Sequence, residues 1–296
     1  MRFAPILLPF LLGAADLKID HVTIAGSDLK AIQAGLERVG IATVYGGAHA
    51  NGVTEMALVS FPDGSYLEAI ALQSKADPKA AAQHEWARFL KESAMPAAWA
   101  LQTENLEGDA KRLRAAGVEV SEPVRAGRKR PDGVKLEWET VNLGKEDRGT
   151  FFPFLIHDFT PRRQRAFPAG KPTSNEFDGV AKVVIAVRDL DAAVERYRKA
   201  FGLPAAAHQD DVKFGAKLAV MGSAPVVLAQ PLSADSWLAE RVRRFGEGPC
   251  VFLLSIRRQR LPRIAHVNSS LWFGRNILWM DSTKSGWRFL AIEEVP

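Results

Sequence analysis

Short apolar segments recur along the chain, and three of them are followed by the same arrangement of residues. The segments HVTIAG, WALQT and KVVIAV each precede an Asp or Asn, a leucine, an amphipathic stretch and a glycine. The first and last residues of this arrangement are twelve, twelve and thirteen positions apart in the pairs Asp28 and Gly40, Asn105 and Gly117, and Asp189 and Gly202. Such pairs are typical of a helix N-cap and of the left-handed residue that ends a helix. The pattern therefore predicts three strand-helix repeats.

Segments typical of strands follow each predicted helix. VTEMALVSF and SYLEAIAL flank a Pro-Asp-Gly turn, KLEWETVNL and TFFPFLIHDF follow the second helix, and KLAVMG and PVVLAQPL follow the third. Apolar runs separated by Gly, Pro and Asp indicate antiparallel hairpins. A degenerate fourth copy is predicted from VFLLSI, SSLWFGRNILWMDS and GWRFLAIEEV, with a short helix around Pro262. The pattern predicts an α+β fold built from four βαβββ modules.

The modules pair into two halves. At 296 residues the chain is long enough for two domains, each with its own core. We predict a first domain over residues 16–160, a linker over the polar, Pro- and Gly-containing residues 161–178, and a second, degenerate domain over residues 179–296.

Composition and charge limit the range of partners. Apolar residues make up 47% and charged residues 25% of the chain, which is typical of a folded globular protein. The net charge of +5 is small for this length, and the basic run at 125–130 lacks interleaved aromatics, so a small anionic molecule is favoured over nucleic acid. The single Cys250 excludes an intrachain disulfide and a multi-cysteine zinc site. The sequence predicts no membrane span and leaves homo-oligomer formation open.

The N-terminal residues are typical of a secretory signal peptide. Arg2 precedes an apolar run over residues 3–12, and small residues follow up to Ala15. The run is too short to span a bilayer. We therefore expect cleavage after Ala15 and export to the periplasm or the extracellular space. The alternative is a cytoplasmic protein with a frayed extension, because the basic region is minimal and Pro5 and Pro9 interrupt the apolar run.

The tandem pattern resembles the vicinal-oxygen-chelate superfamily, which includes glyoxalase I, extradiol dioxygenases and bleomycin-resistance proteins. The first half is also similar to a glyoxalase-like domain family through IDHVTIAGSDL, the GGAH stretch ending at His49, DGSYLE, RPDGVKLEW and PFLI. The likeness covers residues 18–158 well, residues 179–231 moderately and the remainder poorly. It implies that the sheets of two modules form an open cup, with metal ligands on the first and last strands of each module.

The resemblance implies a particular set of ligands in the first half. The family positions fall on His21 and Glu68 in the first module, and near Ala98 and on His157 in the second. His21, Glu68 and His157 would then bind a divalent metal, Fe, Mn, Zn or Ni, with one position vacant at Ala98. Two imidazoles and a carboxylate leave coordination sites open for water or a substrate oxygen. Each of the three residues is also common as a packed or half-exposed structural residue.

The corresponding positions of the second half carry no comparable set. They fall on Lys182, near Leu228 or Ala229, on Val251 and on Leu290. These side chains do not form a metal site, which predicts that the second half is a structural partner.

Three further residues are candidates for substrate binding. His49 follows two glycines, so a flexible loop could place it over the metal, and the alternative is a solvated loop histidine. Arg128 and Arg130 are candidate anchors for a carboxylate or phosphate, although the Asp132-Gly133 turn signal also places them beside a tight hairpin. The sequence contains no glycine-rich phosphate loop, nucleophilic serine motif or CxxC, which disfavours dinucleotide binding and serine hydrolase chemistry.

Two main functions follow. One is a metal-dependent enzyme of isomerase, lyase or dioxygenase type that acts on a small oxygenated substrate. The alternative is a metal-free protein that binds a small molecule, as the bleomycin-resistance branch does, and the vacancy at Ala98 favours it. An exported structural or interaction protein is a third interpretation.

Overall fold

The computed structural model describes residues 17–257, 266–285 and 287–295. The predicted signal peptide, residues 1–15, and the predicted short helix around Pro262 lie outside the described residues. Within the described part of the chain, no helix is both long and apolar enough to cross a membrane.

The first half contains two βαβββ modules. Its elements are β1 (Ile19–Ala25), α1 (Leu29–Arg38), β2 (Val44–Ala48), β3 (Thr54–Ser60), β4 (Tyr66–Leu72), α2 (Pro78–Gln83), β5 (Met95–Gln102), α3 (Leu106–Ala115), β6 (Val124–Lys129), β7 (Lys135–Val141) and β8 (Phe154–Asp158). The strands form one sheet in the order β2-β3-β4-β1-β5-β8-β7-β6. A β-bridge between His49 and Arg128 joins the two outer edges, so the sheet curls into a nearly closed cup.

The second half repeats this arrangement after a short helix, α4 (Arg162–Ala166). Its elements are β9 (Gly179–Ala186), α5 (Leu190–Phe201), β10 (Ala207–Asp211), β11 (Ala216–Val220), β12 (Val226–Pro231), α6 (Trp237–Phe245), β13 (Gly248–Arg257), β14 (His266–Trp272), β15 (Arg275–Met280), α7 (Ser282–Ser285) and β16 (Leu290–Val295). The sheet order β10-β11-β12-β9-β13-β16-β15-β14 matches that of the first half. The predicted α+β class and the tandem modules are confirmed, including the strands of the fourth module.

The local sequence explains where the three long module helices begin and end. At each start a side-chain oxygen accepts a bond from the backbone N–H three residues later, in the pairs Asp28 and Ala31, Asn105 and Gly108, and Asp189 and Ala192. The glycines at the other ends have φ angles of +84° at Gly40, +80° at Gly117 and +65° at Gly202. Glycine adopts this left-handed conformation without steric cost.

Alternation along the strands separates the core from the cups. On β1, Val22 and Ile24 face the helices and belong to a hydrophobic core that both halves share. His21 and Thr23 face the opposite side, because successive strand side chains point to opposite faces of a sheet. His21 therefore projects into the first cup. The shared core includes the fully buried Tyr197 of α5, whose hydroxyl donates to the backbone carbonyl of Phe151 in the first half.

Candidate active site in the first cup

The first cup encloses a cavity of about 360 Å³. This volume lies within the range of roughly 300 to 1,000 Å³ that is usual for small-molecule sites. Its polar lining includes His21, His49, Glu68, His84, Glu85, Arg125, Arg128, Thr140, Arg148 and Arg165, and its aromatic lining is Tyr66, Trp86, Trp138 and Phe154. A site with flat apolar walls and several charged groups suits a small organic ion.

Two imidazoles approach one buried carboxylate, and we call His21, His49 and Glu68 the cup cluster. The Nε2 atom of His21 lies 4.0 Å from Oε2 of Glu68, and the Nε2 atom of His49 lies 3.6 Å from Oε1. The hydroxyl of Thr23 donates to the same carboxylate at 3.1 Å. Burial by itself would raise the pKa of Glu68, but hydrogen bonding to His49 and the charge of His21 lower that pKa to about 2. Glu68 is therefore ionised at neutral pH.

A buried ion network fixes the ring of His21. Its Nδ1 atom lies 2.6 Å from Oδ1 of Asp20, a fully buried residue. Burial opposes ionisation of Asp20, but the Arg165 and Arg162 guanidiniums and the His21 bond outweigh it and hold the pKa of Asp20 well below its usual range. The ionised Asp20 accepts a hydrogen bond from Nδ1 of His21 and so fixes the ring with Nε2 directed at Glu68.

Arg165 of α4 is the centre of this network. Its two terminal nitrogens donate to the carboxylate of Asp20 at 2.9 and 2.8 Å, and it also bonds Asp158 at 2.5 and 2.7 Å. A further bond reaches the hydroxyl of Tyr66, whose ring stacks on His21 at 4.8 Å. The segment predicted to be a linker thus contains α4, whose Arg165 fixes the side chains of Asp20 and Tyr66.

His49 reaches the cup cluster because the two edges of the sheet come together. Its Nδ1 atom lies 2.9 Å from the hydroxyl oxygen of Thr54 on β3. Gly47 has a φ of +109°, and a Cβ there would lie only 3.1 Å from the carbonyl oxygen of Lys129. Glycine at this position therefore permits the close approach of β2 to β6 that places His49 opposite Glu68.

The structure does not bring His157 to this cavity. Phe154 and Ile156 of β8 face the cup, so His157 points to the other face of the sheet. There its Nδ1 atom lies 3.0 Å from the carbonyl oxygen of Thr103, and its ring meets Phe159 edge-on. The prediction of His157 as a ligand beside His21 and Glu68 is therefore corrected, because the last-strand position in the cup is Ile156.

The two predicted arginine anchors lie in different places. Arg128 lines the cavity, is buried, and donates to the backbone carbonyls of Gly46 and Arg165. Arg130 lies outside the cavity, where it bonds the side chain of Asp132 and the carbonyl oxygen of Gln164. Its predicted role in substrate binding is corrected, because these contacts hold the hairpin turn and the following segment.

Sequence reasoning missed Arg148, which lies between β7 and β8 and carries no recognisable motif. Its guanidinium donates to the side chains of Thr140 and Asn142, lies 3.2 Å from Glu85, and sits 4.9 Å from the ring centre of Phe154. These contacts hold a cation in the cavity wall.

The donor chemistry of the cup cluster fits a divalent transition metal, whereas its donor atoms are spaced more widely than the ligands of a bound ion. Both imidazoles have Nδ1 held by a neighbouring oxygen, as is usual for metal-binding histidines. Among the residues that the structure describes, no group of three or more His, Cys, Asp or Glu side chains is close enough to hold a metal ion. Two donors at 2.0–2.1 Å from a tetrahedral ion are about 3.3 Å apart. The distances of 3.6 and 4.0 Å exceed this value by roughly 0.3 to 0.7 Å.

The second cup has replaced the cup cluster with an ion pair. Lys182 on β9 bonds Glu293 on β16 at 2.6 Å, and Glu293 is buried. The strand registers pair Val227 with Val184 as they pair Glu68 with Thr23 in the first half. The last-strand and β12 positions in this cup are therefore Glu293 and Val227, which differ from the positions predicted at 228–229 and 290.

The comparison with known families matches the first half and the start of the second half of the chain. The sequence profile of the glyoxalase-like domain family matches residues 19–201, more than half of the chain. No protein with a curated description matches the sequence.

Solved structures resemble the chain in fold. A hypothetical protein from Staphylococcus aureus is 15% identical with a TM-score of 0.61, over 94% of this chain and 100% of that chain. A mutant of 4-hydroxymandelate synthase from Streptomyces coelicolor is 12% identical with a TM-score of 0.59, over 94% of this chain and 92% of that chain. Methylmalonyl-CoA epimerase from Mycobacterium tuberculosis is 20% identical over 43% of this chain and 94% of that chain, with a TM-score of 0.36. The first two similarities show that the two-cup fold occurs in other proteins.

Proposed function

Because the chain belongs to the glyoxalase-like domain family, as the sequence resemblance predicted, we propose that its first cup is the active site of a metal-dependent enzyme. The substrate is a small oxygenated anion, and the reaction is of the isomerase, lyase or dioxygenase type. The residues that would hold the metal are His21, His49 and Glu68, whose donor atoms would have to approach one another by roughly 0.3 to 0.7 Å, and His49 takes the place first assigned to His157.

The convergence of two oriented imidazoles on one ionised carboxylate carries this proposal. A buried glutamate with a pKa of about 2 presents a full negative charge to the cavity. Asp20 and Thr54 engage the Nδ1 atoms of His21 and His49, so both Nε2 atoms are directed at Glu68. A divalent ion bound there would polarise a substrate carbonyl or lower the pKa of a bound water.

The remaining lining supports an anionic substrate. Four arginines and two glutamates line the cavity, so cationic side chains predominate. Arg148 is held against the ring of Phe154, and a planar guanidinium binds a carboxylate through two parallel bonds. In this proposal Arg128 and Arg148 orient the anionic group, Tyr66 and Trp138 pack against the apolar part, and Trp86 limits access of water.

The rival function is metal-free binding of the same class of molecule. Its support is the second module, where Ala98 and Ala100 on β5 and Ile156 on β8 present only apolar side chains to the cup. A cup with ligands from one module alone can still hold an organic anion through its arginines.

The test measures metal content after reconstitution of the full chain with Fe, Mn, Zn or Ni. We expect one ion per wild-type chain, loss of that ion in His21→Ala and His49→Ala, and full retention in the control His157→Ala. Tryptophan fluorescence would report binding of small carboxylates with and without a chelator.

Wild-type protein that holds no metal but still binds a carboxylate would replace the enzyme proposal with the metal-free one. Loss of metal in His157→Ala with retention in His49→Ala would show that the ligand set is wrongly assigned.

A further inference from the structure

Another cavity lies where the two halves meet, outside both cups. Its volume is about 190 Å³, and its wall combines the start of β5 in the first half with α6 and residues near β16 in the second. We call it the seam cavity, and the residues that matter for its chemistry are Met95, Pro96, Arg241, Arg244, Cys250 and Arg288. It is smaller than the roughly 300 Å³ of an ordinary small-molecule pocket, so a compact ligand suits it.

Arg241 occupies a position in α6 where an apolar residue is expected. The buried residues of this helix are Leu238, Arg241, Val242 and Phe245, which follow the three- and four-residue spacing of a helix face packed on a core. Arg241 is 5% exposed. A cation at such a position loses its hydration, and an apolar side chain of similar size would avoid that cost.

The bonds of Arg241 leave its charge uncompensated. Its terminal nitrogens donate to the carbonyl oxygens of Gly246 at 2.9 Å and Pro249 at 2.8 Å, which accounts for two of five N–H donors. Its Nε atom is buried and has no hydrogen-bond partner. The rings of Phe89 and Phe245 lie 5.8 and 5.4 Å from the guanidinium carbon, and they stabilise a cation only partly.

The neighbouring groups do not supply the missing negative charge. In the described part of the chain no carboxylate forms an ion pair with Arg241. Glu240 lines the same cavity but pairs with Arg243 at 2.6 Å. Burial raises the pKa of Cys250 to about 12, so its thiol is neutral. Arg288 adds positive charge to the wall, whereas Arg244 of the same wall pairs with Glu92 at 2.7 Å.

We propose that the seam cavity binds a small oxyanion, which accepts N–H groups of the Arg241 guanidinium that the two backbone carbonyls leave free and lies beside Arg241 and Arg288. The ligand class is a phosphate, sulfate or carboxylate group. Because Met95 and Pro96 belong to the first half and Arg241 to the second, a bound anion would lie between the halves and stabilise their contact.

The experiment compares inorganic phosphate, sulfate and acetate with sodium chloride at one ionic strength, using calorimetric titration and thermal unfolding of the full chain. We expect a saturable rise in Tm and a measurable binding heat with at least one oxyanion but none with chloride. The anion that binds most tightly distinguishes a phosphate-type site from a carboxylate-type site. Arg241→Met should weaken binding at least tenfold.

Two control variants separate this site from other sources of anion binding. Arg163→Met removes an exposed arginine away from the seam cavity and should keep wild-type affinity. Arg148→Met removes a cationic side chain that lines the first cup and should keep the affinity of the seam cavity, which distinguishes oxyanion binding there from binding in the cup.

If Arg241→Met does not fold, Arg241→Lys and Arg288→Ala take its place. Lysine keeps the charge but lacks the planar set of guanidinium N–H donors, so we expect at least tenfold weaker binding, and Arg288→Ala should weaken binding severalfold. The proposal is overturned if no oxyanion binds saturably, if Arg241→Met binds as wild type does, or if both replacement variants keep full affinity.

Discussion

The network beneath the first cup predicts a large effect of replacing Arg165 with methionine. Arg165 is 2% exposed and bonds the carboxylates of Asp20 and Asp158. Methionine fills a similar volume but removes the positive charge. Asp20 then keeps Arg162 as its one remaining cationic partner, while its side chain stays fully buried.

The expected loss is about 3 to 5 kcal/mol of unfolding free energy, because removal of one partner leaves a buried carboxylate poorly compensated. With a urea dependence of about 3 kcal/mol per molar for a protein of this size, the midpoint should fall by roughly 1 M or more. Arg163→Met is a matched control, since Arg163 lies in the same short helix with an exposed side chain. A surface change of this kind usually costs within about 0.5 kcal/mol.

The pH dependence gives a second readout. A carboxyl group with a lowered pKa in the folded state contributes stability above its unfolded pKa of about 3.9, and this stability is lost as pH falls through the folded value. Loss of Arg165 leaves burial of Asp20 less opposed, so the folded pKa of Asp20 should rise. The gap between wild type and Arg165→Met should therefore be largest at neutral pH and narrow as pH falls from the raised Asp20 pKa of the variant to the low Asp20 pKa of wild type. An Arg165→Met loss below 1 kcal/mol, or equal to that of Arg163→Met, would refute the reasoning.

Two further predictions concern ionisable groups. In chelator-treated protein, the lowering of the Glu68 pKa from 4.5 to about 2 corresponds to about 3 kcal/mol of stability above pH 4.5 that disappears as pH falls towards 2. Glu68→Gln should therefore be less stable than wild type at pH 7 and converge with it in acid, whereas the exposed control Glu137→Gln should track wild type throughout. Cys250 is buried with a pKa raised to about 12, so a thiol reagent at pH 8 should modify it only as the protein unfolds. Stoichiometric modification within minutes in native buffer would contradict that placement.

Much of the fold follows from local features of the sequence. N-cap and glycine pairs mark three helices because those residues satisfy backbone groups within a few positions of themselves. Alternating apolar residues mark the strands because a strand exposes opposite faces with a period of two. His21 and Glu68 could be placed in one cup on the family resemblance, and the strand registers put them on adjacent strands of the sheet.

The composition of the site depends on contacts between residues far apart in the chain. His49 joins Glu68 because β2 meets β6 at the closure of the sheet, and no local pattern reports that closure. His157 and Ile156 are neighbours in sequence, yet they lie on opposite faces, because a shift of one residue moves a side chain across the sheet. Arg165 lies in a segment that the sequence predicts to be a linker. It contacts Asp20 of β1 because the tertiary fold brings α4 next to that strand.

The sequence by itself determined the number of modules and the order of their elements. Each of these rests on spacing within a few turns or strands. Tertiary structure decided the third member of the cup cluster, the ions that orient His21 and the ion pair between Lys182 and Glu293 in the second half. Those features depend on strand register and on edge closure, and both arise from packing of the whole sheet.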